Sequence, residues 1–82
     1  MAQFEYQVCQ VQGAAVTFVN GAWQGDVPMV QLKEPQEIAD HCPRVWEYLN
    51  LAGKKGWELV AVTTEVFEHG RLEILYLKRA SP

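Results

Sequence analysis

No stretch of this 82-residue chain approaches the roughly 20 consecutive apolar residues that a membrane-spanning helix needs, so no membrane partner is expected. Positive charge is also scarce. Lysine and arginine total 7 against 10 acidic residues, for a formal net charge of −3. The only adjacent basic pairs are Lys54-Lys55 and Lys78-Arg79. Nucleic-acid binders carry a basic patch or stripe, so a nucleic-acid partner is not expected either. The two cysteines, Cys9 and Cys42, could form one bridge but not a disulfide framework. The start, Met1-Ala2-Gln3-Phe4-Glu5, has no basic region leading into an apolar run, which argues against a secretion signal. A cytoplasmic protein with reduced thiols is expected. The six glycines are scattered at turn positions, outside the strand–loop–helix setting of a nucleotide fingerprint.

What the chain does have is apolar residues, 49% of its length. The size allows one domain, residues 1–82, and a domain this small buries a modest fraction of its surface. Either the core is rich or another chain covers some apolar surface.

Periodicity organises the chain. Phe4 to Val11 alternates, with Phe4, Tyr6 and Val8 on one face and Glu5, Gln7 and Cys9 on the other, which predicts a strand. Ala15 to Val19 and Ala22 to Gln24 flank Asn20-Gly21, the pair that suits a type I′ turn needing positive φ at both central residues. A hairpin is predicted there, broken after Gln24 by Gly25-Asp26-Val27-Pro28. Pro35 to Asp40 reads as a short helical turn, unless one kinked helix runs on from it. The main helix is predicted from Pro43 to about Lys54, with Val45, Leu49 and Ala52 forming its apolar stripe and Gly56 its left-handed cap. Two strands complete the order. In the first, from Trp57 to Glu65, strict alternation puts Trp57, Leu59, Ala61 and Thr63 on one face. The second, Leu72 to Arg79, follows a turn at Glu68 to Arg71.

The expected fold class is α+β: a small antiparallel sheet of about four to five strands, order β-β-β-α-β-β, with one main helix on one face. One helix covers one face. The last two strands are apolar on both, as strands buried on both sides are. The second face is therefore expected to be covered, either by the Pro28–Asp40 segment or by another copy. A homo-oligomer follows, most simply a two-fold dimer.

The strand Phe4-Glu5-Tyr6-Gln7-Val8, the helix end Leu49-Asn50-Leu51-Ala52-Gly53, the run Lys55-Gly56-Trp57-Glu58-Leu59-Val60-Ala61-Val62 and the terminal Tyr76-Leu77-Lys78-Arg79 together resemble a bacterial family catalogued as domain of unknown function 4177. The Gly-Trp-Glu-Leu-Val core carries most of that resemblance, which extends over nearly the whole chain. The Asn20-Gly21 hairpin and the segment between Pro28 and Pro35 look like an elaboration on shorter members. The family implies a small α+β domain and no activity.

Few residues offer chemistry. Cys9, His41 and Cys42 are metal-ligand types, but there is no Cys-x-x-Cys and no His-x-x-x-His, and structural zinc usually takes four ligands. Buried thiols and a helix-junction imidazole are the favoured account of them. Cys42 with His41 is a candidate nucleophile and base; adjacent residues seldom point at each other. Glu58 and Glu73 are candidate paired carboxylates, with Glu65 and Glu68 nearby; a solvated sheet edge explains all four. Trp57 is expected to anchor helix to sheet, while Trp46 falls beside the helix stripe. Trp23 fits core or interface, since tryptophan is enriched at binding hot spots.

The expected function is a non-catalytic interaction module that self-associates and binds a larger protein, with Phe18, Asn20, Trp23 and Trp46 as candidate contact residues and no cofactor. The alternative is a metabolite or nucleotide binder with a subunit-interface pocket, to which His69, Arg71 and Tyr76 could contribute.

Overall fold

The structure, a computed structural model, describes residues 3–81. Five strands, β1 (Gln3–Gln12), β2 (Ala15–Val19), β3 (Ala22–Trp23), β4 (Glu58–Phe67) and β5 (Gly70–Ser81), form one antiparallel sheet in the order β3-β2-β1-β5-β4. A 3₁₀ turn (Met29–Gln31), α1 (Pro35–Asp40) and α2 (Val45–Lys54) lie between β3 and β4. The α+β class and the strand–helix order are as the periodicity predicts. The two helices are separate, because Cys42, Pro43 and the extended Arg44 (φ −65°, ψ 151°) interrupt them.

The Asn20-Gly21 turn has positive φ at both residues, 49° and 82°. That is the type I′ geometry whose twist matches the flanking strands. Helix α2 begins two residues later than Pro43 suggests, with Arg44 as N-cap, whose backbone N–H donates to Glu47 Oε1 at 3.4 Å. At its other end the Gly56 N–H donates to the Gly53 carbonyl and the Trp57 N–H to the Ala52 carbonyl, with Gly56 at φ +92°. These are the paired bonds of a Schellman cap, which satisfy carbonyls that a helix end leaves free.

The core lies under α2. Cys9 and Val11 of β1, Val16 of β2, and Leu75 and Leu77 of β5 are buried against Ala52, with Val45, Tyr48, Leu49 and Trp57 packed around them. Full burial of one such aliphatic side chain contributes about 1.5–3 kcal/mol. A second, smaller cluster joins Ala15 of β2 to Ala39 and Cys42, with Trp23 against it. Ala15 pairs with Gln12 and Val16 with Val11, so these neighbours point to opposite sides of the sheet. Helix α1 therefore shields the β2 end of the side that α2 leaves open.

Strand β4 departs from strict alternation. Its register against β5 slips between Leu59 and Ala61, leaving Val60 as a bulge. Leu59 opposes Leu77 and Val62 opposes Leu75, both toward α2, whereas Ala61 opposes Tyr76 and Thr63 opposes Ile74 on the far side. The shared face of Leu59, Ala61 and Thr63 predicted by alternation is thus corrected: an extra residue in one strand reverses the facing of everything after it.

Candidate functional site

The sheet side away from α2 carries apolar and polar side chains together. Its rows run across three strands: Val8, Tyr76 and Ala61; Gln10, Ile74 and Thr63; Tyr6, Lys78 and Glu58. Phe4, Tyr6 and Val8 are exposed on it, Tyr6 by 61%. Helix α1 reaches only the β2 end, so the Pro28–Asp40 segment covers that end of this face and leaves Phe4, Tyr6 and Val8 open.

The sheet's two edges differ. Beyond β2 lies only the two-residue β3, and the start of β2 is covered by the chain around Arg44. There the Val16 N–H donates to the Pro43 carbonyl and the Val45 N–H to the Ala14 carbonyl. At the opposite edge, β4 presents ten residues, every one exposed, with Val66 at 81%. Helix α2 does not extend over this strand, so Leu59, Val60, Val62, Val66 and Phe67 are open to solvent.

The size of the exposed surface agrees. The chain exposes 5829 Å² for a mass of 9.3 kDa, where folded monomers of that mass expose about 5,000 Å². Its radius of gyration is 13.6 Å, against about 12 Å for a compact domain of this length. The surplus is close to the ~800 Å² per partner of a standard protein–protein interface.

The sequence-predicted contact residues divide. Trp46 is 66% exposed on the outer side of α2. Asn20 is exposed, but its Oδ1 accepts the Val8 N–H at 2.8 Å, so it serves the hairpin. Phe18 and Trp23 oppose each other across β2 and β3 with ring centroids 5.6 Å apart. Trp23 is half-buried against the α1 cluster, and its Nε1–H donates to the Val27 carbonyl at 2.8 Å. A methyl group on Gly25 would overlap the indole at 2.2 Å. Trp23 thus packs within its own chain while remaining half-buried. The four residues do not converge on one surface.

The chemical candidates also separate. Cys9 and Cys42 are free and buried. Burial pushes both thiols up from their ordinary value, and the Asp26 carboxylate adds to this at Cys42, while a hydrogen bond with Tyr48 partly opposes it at Cys9. A raised pKa is the opposite of an activated nucleophile. His41 Nδ1 lies 2.6 Å from Asp26 Oδ1. Among the described residues no three His, Cys, Asp or Glu side chains stand together as a metal site. Glu58 opposes Lys78, in the row with Tyr6, whereas Glu73 opposes Val11 on the α2 side, so the two carboxylates do not form a pair. No described helix is long and apolar enough to cross a membrane.

Two hollows remain. One, of about 260 Å³, lies beside α2 among Gln7, Tyr48, Leu51, Lys55 and Trp57. Gln7 Oε1 there accepts the Tyr48 hydroxyl at 2.5 Å, with Cys9 Sγ 3.9 Å away. Burial, reinforced by Cys9, pushes the Tyr48 phenol up to about 12. The other, of about 550 Å³, gathers Phe67, His69, Arg71 and Leu72 from the β4–β5 end with Gln12, Gly13 and Pro35. His69 and Arg71 do meet here; Tyr76 does not line it.

No family model, no curated protein and no solved structure matches this chain.

Proposed function

We propose that the protein is a non-catalytic interaction module that works as a homodimer and presents a composite surface to a larger protein. The observation that carries this is the apolar side chains left exposed on the sheet side lacking α2 (Phe4, Tyr6, Val8) and along β4 (Leu59, Val60, Val62, Val66, Phe67); the chain's exposed surface is also about 800 Å² above that of a compact monomer of its mass. The dispersed carboxylates and raised thiol pKa values support a non-catalytic role. The resemblance to the family of unknown function adds a fold and no competing activity. The test is molar mass by light scattering on a sizing column across a hundredfold range of concentration. A mass of two chains supports the reading, and one chain throughout removes it.

A second reading, a metabolite or nucleotide binder, is favoured by one observation: the 550 Å³ hollow puts His69 and Arg71 beside Phe67 and Leu72. Its volume is in the range of small-molecule sites, which pair apolar walls with a few polar groups. A thermal-shift screen of nucleotides and carboxylate metabolites tests it, because a ligand held only by the folded state raises Tm. No shift at millimolar concentration counts against it.

A further inference from the structure

We infer that the homodimer forms by antiparallel pairing of β4 with β4 of a second copy, about a two-fold axis at Thr64, giving one continuous ten-stranded sheet. This rests on the self-association proposed above and specifies its geometry.

Natural sheets guard their edges with short strands, lysine, proline or a covering segment, because an edge strand offers unpaired N–H and C=O groups to any other strand. The β2–β3 edge follows that rule, being short and flanked by Pro43 to Val45. Strand β4 follows it only lightly. It reads Glu58-Leu-Val-Ala-Val-Thr-Thr-Glu-Val-Phe67, ten residues without lysine, arginine or proline. Its guards are the bulge at Val60, near one end, and the carboxylates of Glu58 and Glu65.

The bulge and the turn define the register. Beyond Val60 the regular stretch is Ala61 to Phe67, whose midpoint is Thr64. Phe67 and Gly70 oppose each other across the two-residue Glu68-His69 turn, and the first and fourth residues of such a turn are hydrogen-bonded. Bonded and non-bonded pairs then alternate along the ladder. Thr63, Glu65 and Phe67 therefore spend their backbone groups on β5, while Val62, Thr64 and Val66 aim theirs outward. An antiparallel two-fold at Thr64 opposes Thr64 to its own copy and Val62 to Val66, satisfying every outward group in this stretch. Glu65 then faces Thr63, whereas a two-fold at Glu65 would oppose the two carboxylates, which is destabilising. The axis stands perpendicular to the sheet. Both α2 helices then lie on the same side, flanking a floor of Leu59, Val62, Thr64 and Val66 from each copy, the residues that α2 leaves uncovered.

Hydrogen exchange of the wild-type protein at dimer mass reads the pairing directly. The amides of Val62, Thr64 and Val66 are expected to exchange at least 100-fold more slowly than in dilute monomer. Free exchange of all three in a protein of dimer mass overturns the edge pairing while leaving self-association intact. Thr64→Pro and Val66→Lys both act on the outward edge and are expected to weaken dimerisation at least tenfold; Tyr6→Lys, on the sheet face, is expected to leave it unchanged. If Tyr6→Lys yields monomer while both edge variants stay dimeric, the interface is the sheet face and the edge pairing is wrong. A wild-type monomer at all concentrations overturns both proposals.

Discussion

The guanidinium of Arg79 stacks 4.4 Å above the indole of Trp57, and the same side chain donates from Nε to Glu5 Oε1 at 2.6 Å and from a terminal nitrogen to the Lys55 carbonyl at 3.0 Å. One residue of β5 thus holds β1, the C-terminal end of α2 and the tryptophan that begins the return to the sheet. A planar fork suits this; an ammonium reaches one partner at a time. Arg79→Ala should cost about 1–2 kcal/mol in urea unfolding, with Arg79→Lys recovering less than half of that loss.

Stability should fall at alkaline pH, and Tyr48 should carry part of the fall. Its folded pKa, about 12, lies above the usual value near 10. A group that holds its proton more tightly when folded stabilises fully below the unfolded pKa and loses that contribution as pH rises through the folded one. The window is therefore roughly pH 10 to 12. Tyr48→Phe should be less stable at pH 7, by about 1 kcal/mol for the lost bond to Gln7, and should show a flatter stability curve across that window. Equal slopes in urea titrations of the two proteins would remove Tyr48 from the account.

The Asn20 turn separates two effects. Asn20→Gly keeps the positive φ and loses the bond from the Val8 N–H; Asn20→Ala loses both. Asn20→Ala should be the less stable by about 1 kcal/mol, the strain of a β-carbon in left-handed backbone. Denaturant midpoints of the pair read that difference.

Trp23→Ala should lower Tm and leave the oligomeric mass unchanged, because its indole packs on Ala15, Ala39 and Cys42 inside one chain. A loss of about 2–4 kcal/mol is expected for a half-buried aromatic. Intact stability with a changed mass would return Trp23 to the interface.

The parts of the fold legible in the sequence are those fixed by near neighbours. Asn20-Gly21 specifies its hairpin through backbone preference, and Gly56 ends α2 through the same freedom of φ. What the sequence does not reveal depends on distant partners. Alternation along β1 defines two faces but not which lies inside; the sheet buries Cys9 and Val11 against α2 and leaves Phe4 and Tyr6 outside. The bulge at Val60 is equally hidden, since no residue type marks it. Trp23 fits core or interface equally in the sequence, because its contacts with Gly25 and the Val27 carbonyl come from a loop whose path no local pattern gives. The open length of β4 was hidden for a related reason: strand order decides which strand is last, and strand order is a property of the whole sheet.

The contrast between the two edges of the sheet sets the size of any assembly. Polymerisation through strands requires each unit to offer two binding ends, one to add and one to be added to. Here the start of β2 is covered by Pro43 to Val45 and β3 is only two residues long, so among the described residues β4 is the one long open edge. In the proposed pairing that end is consumed in both molecules, so a dimer built this way would have no long edge left from which to grow. Displacing Pro43 and Val45 would free the start of β2 as a second edge, and with it a route from a self-limiting pair to open-ended association.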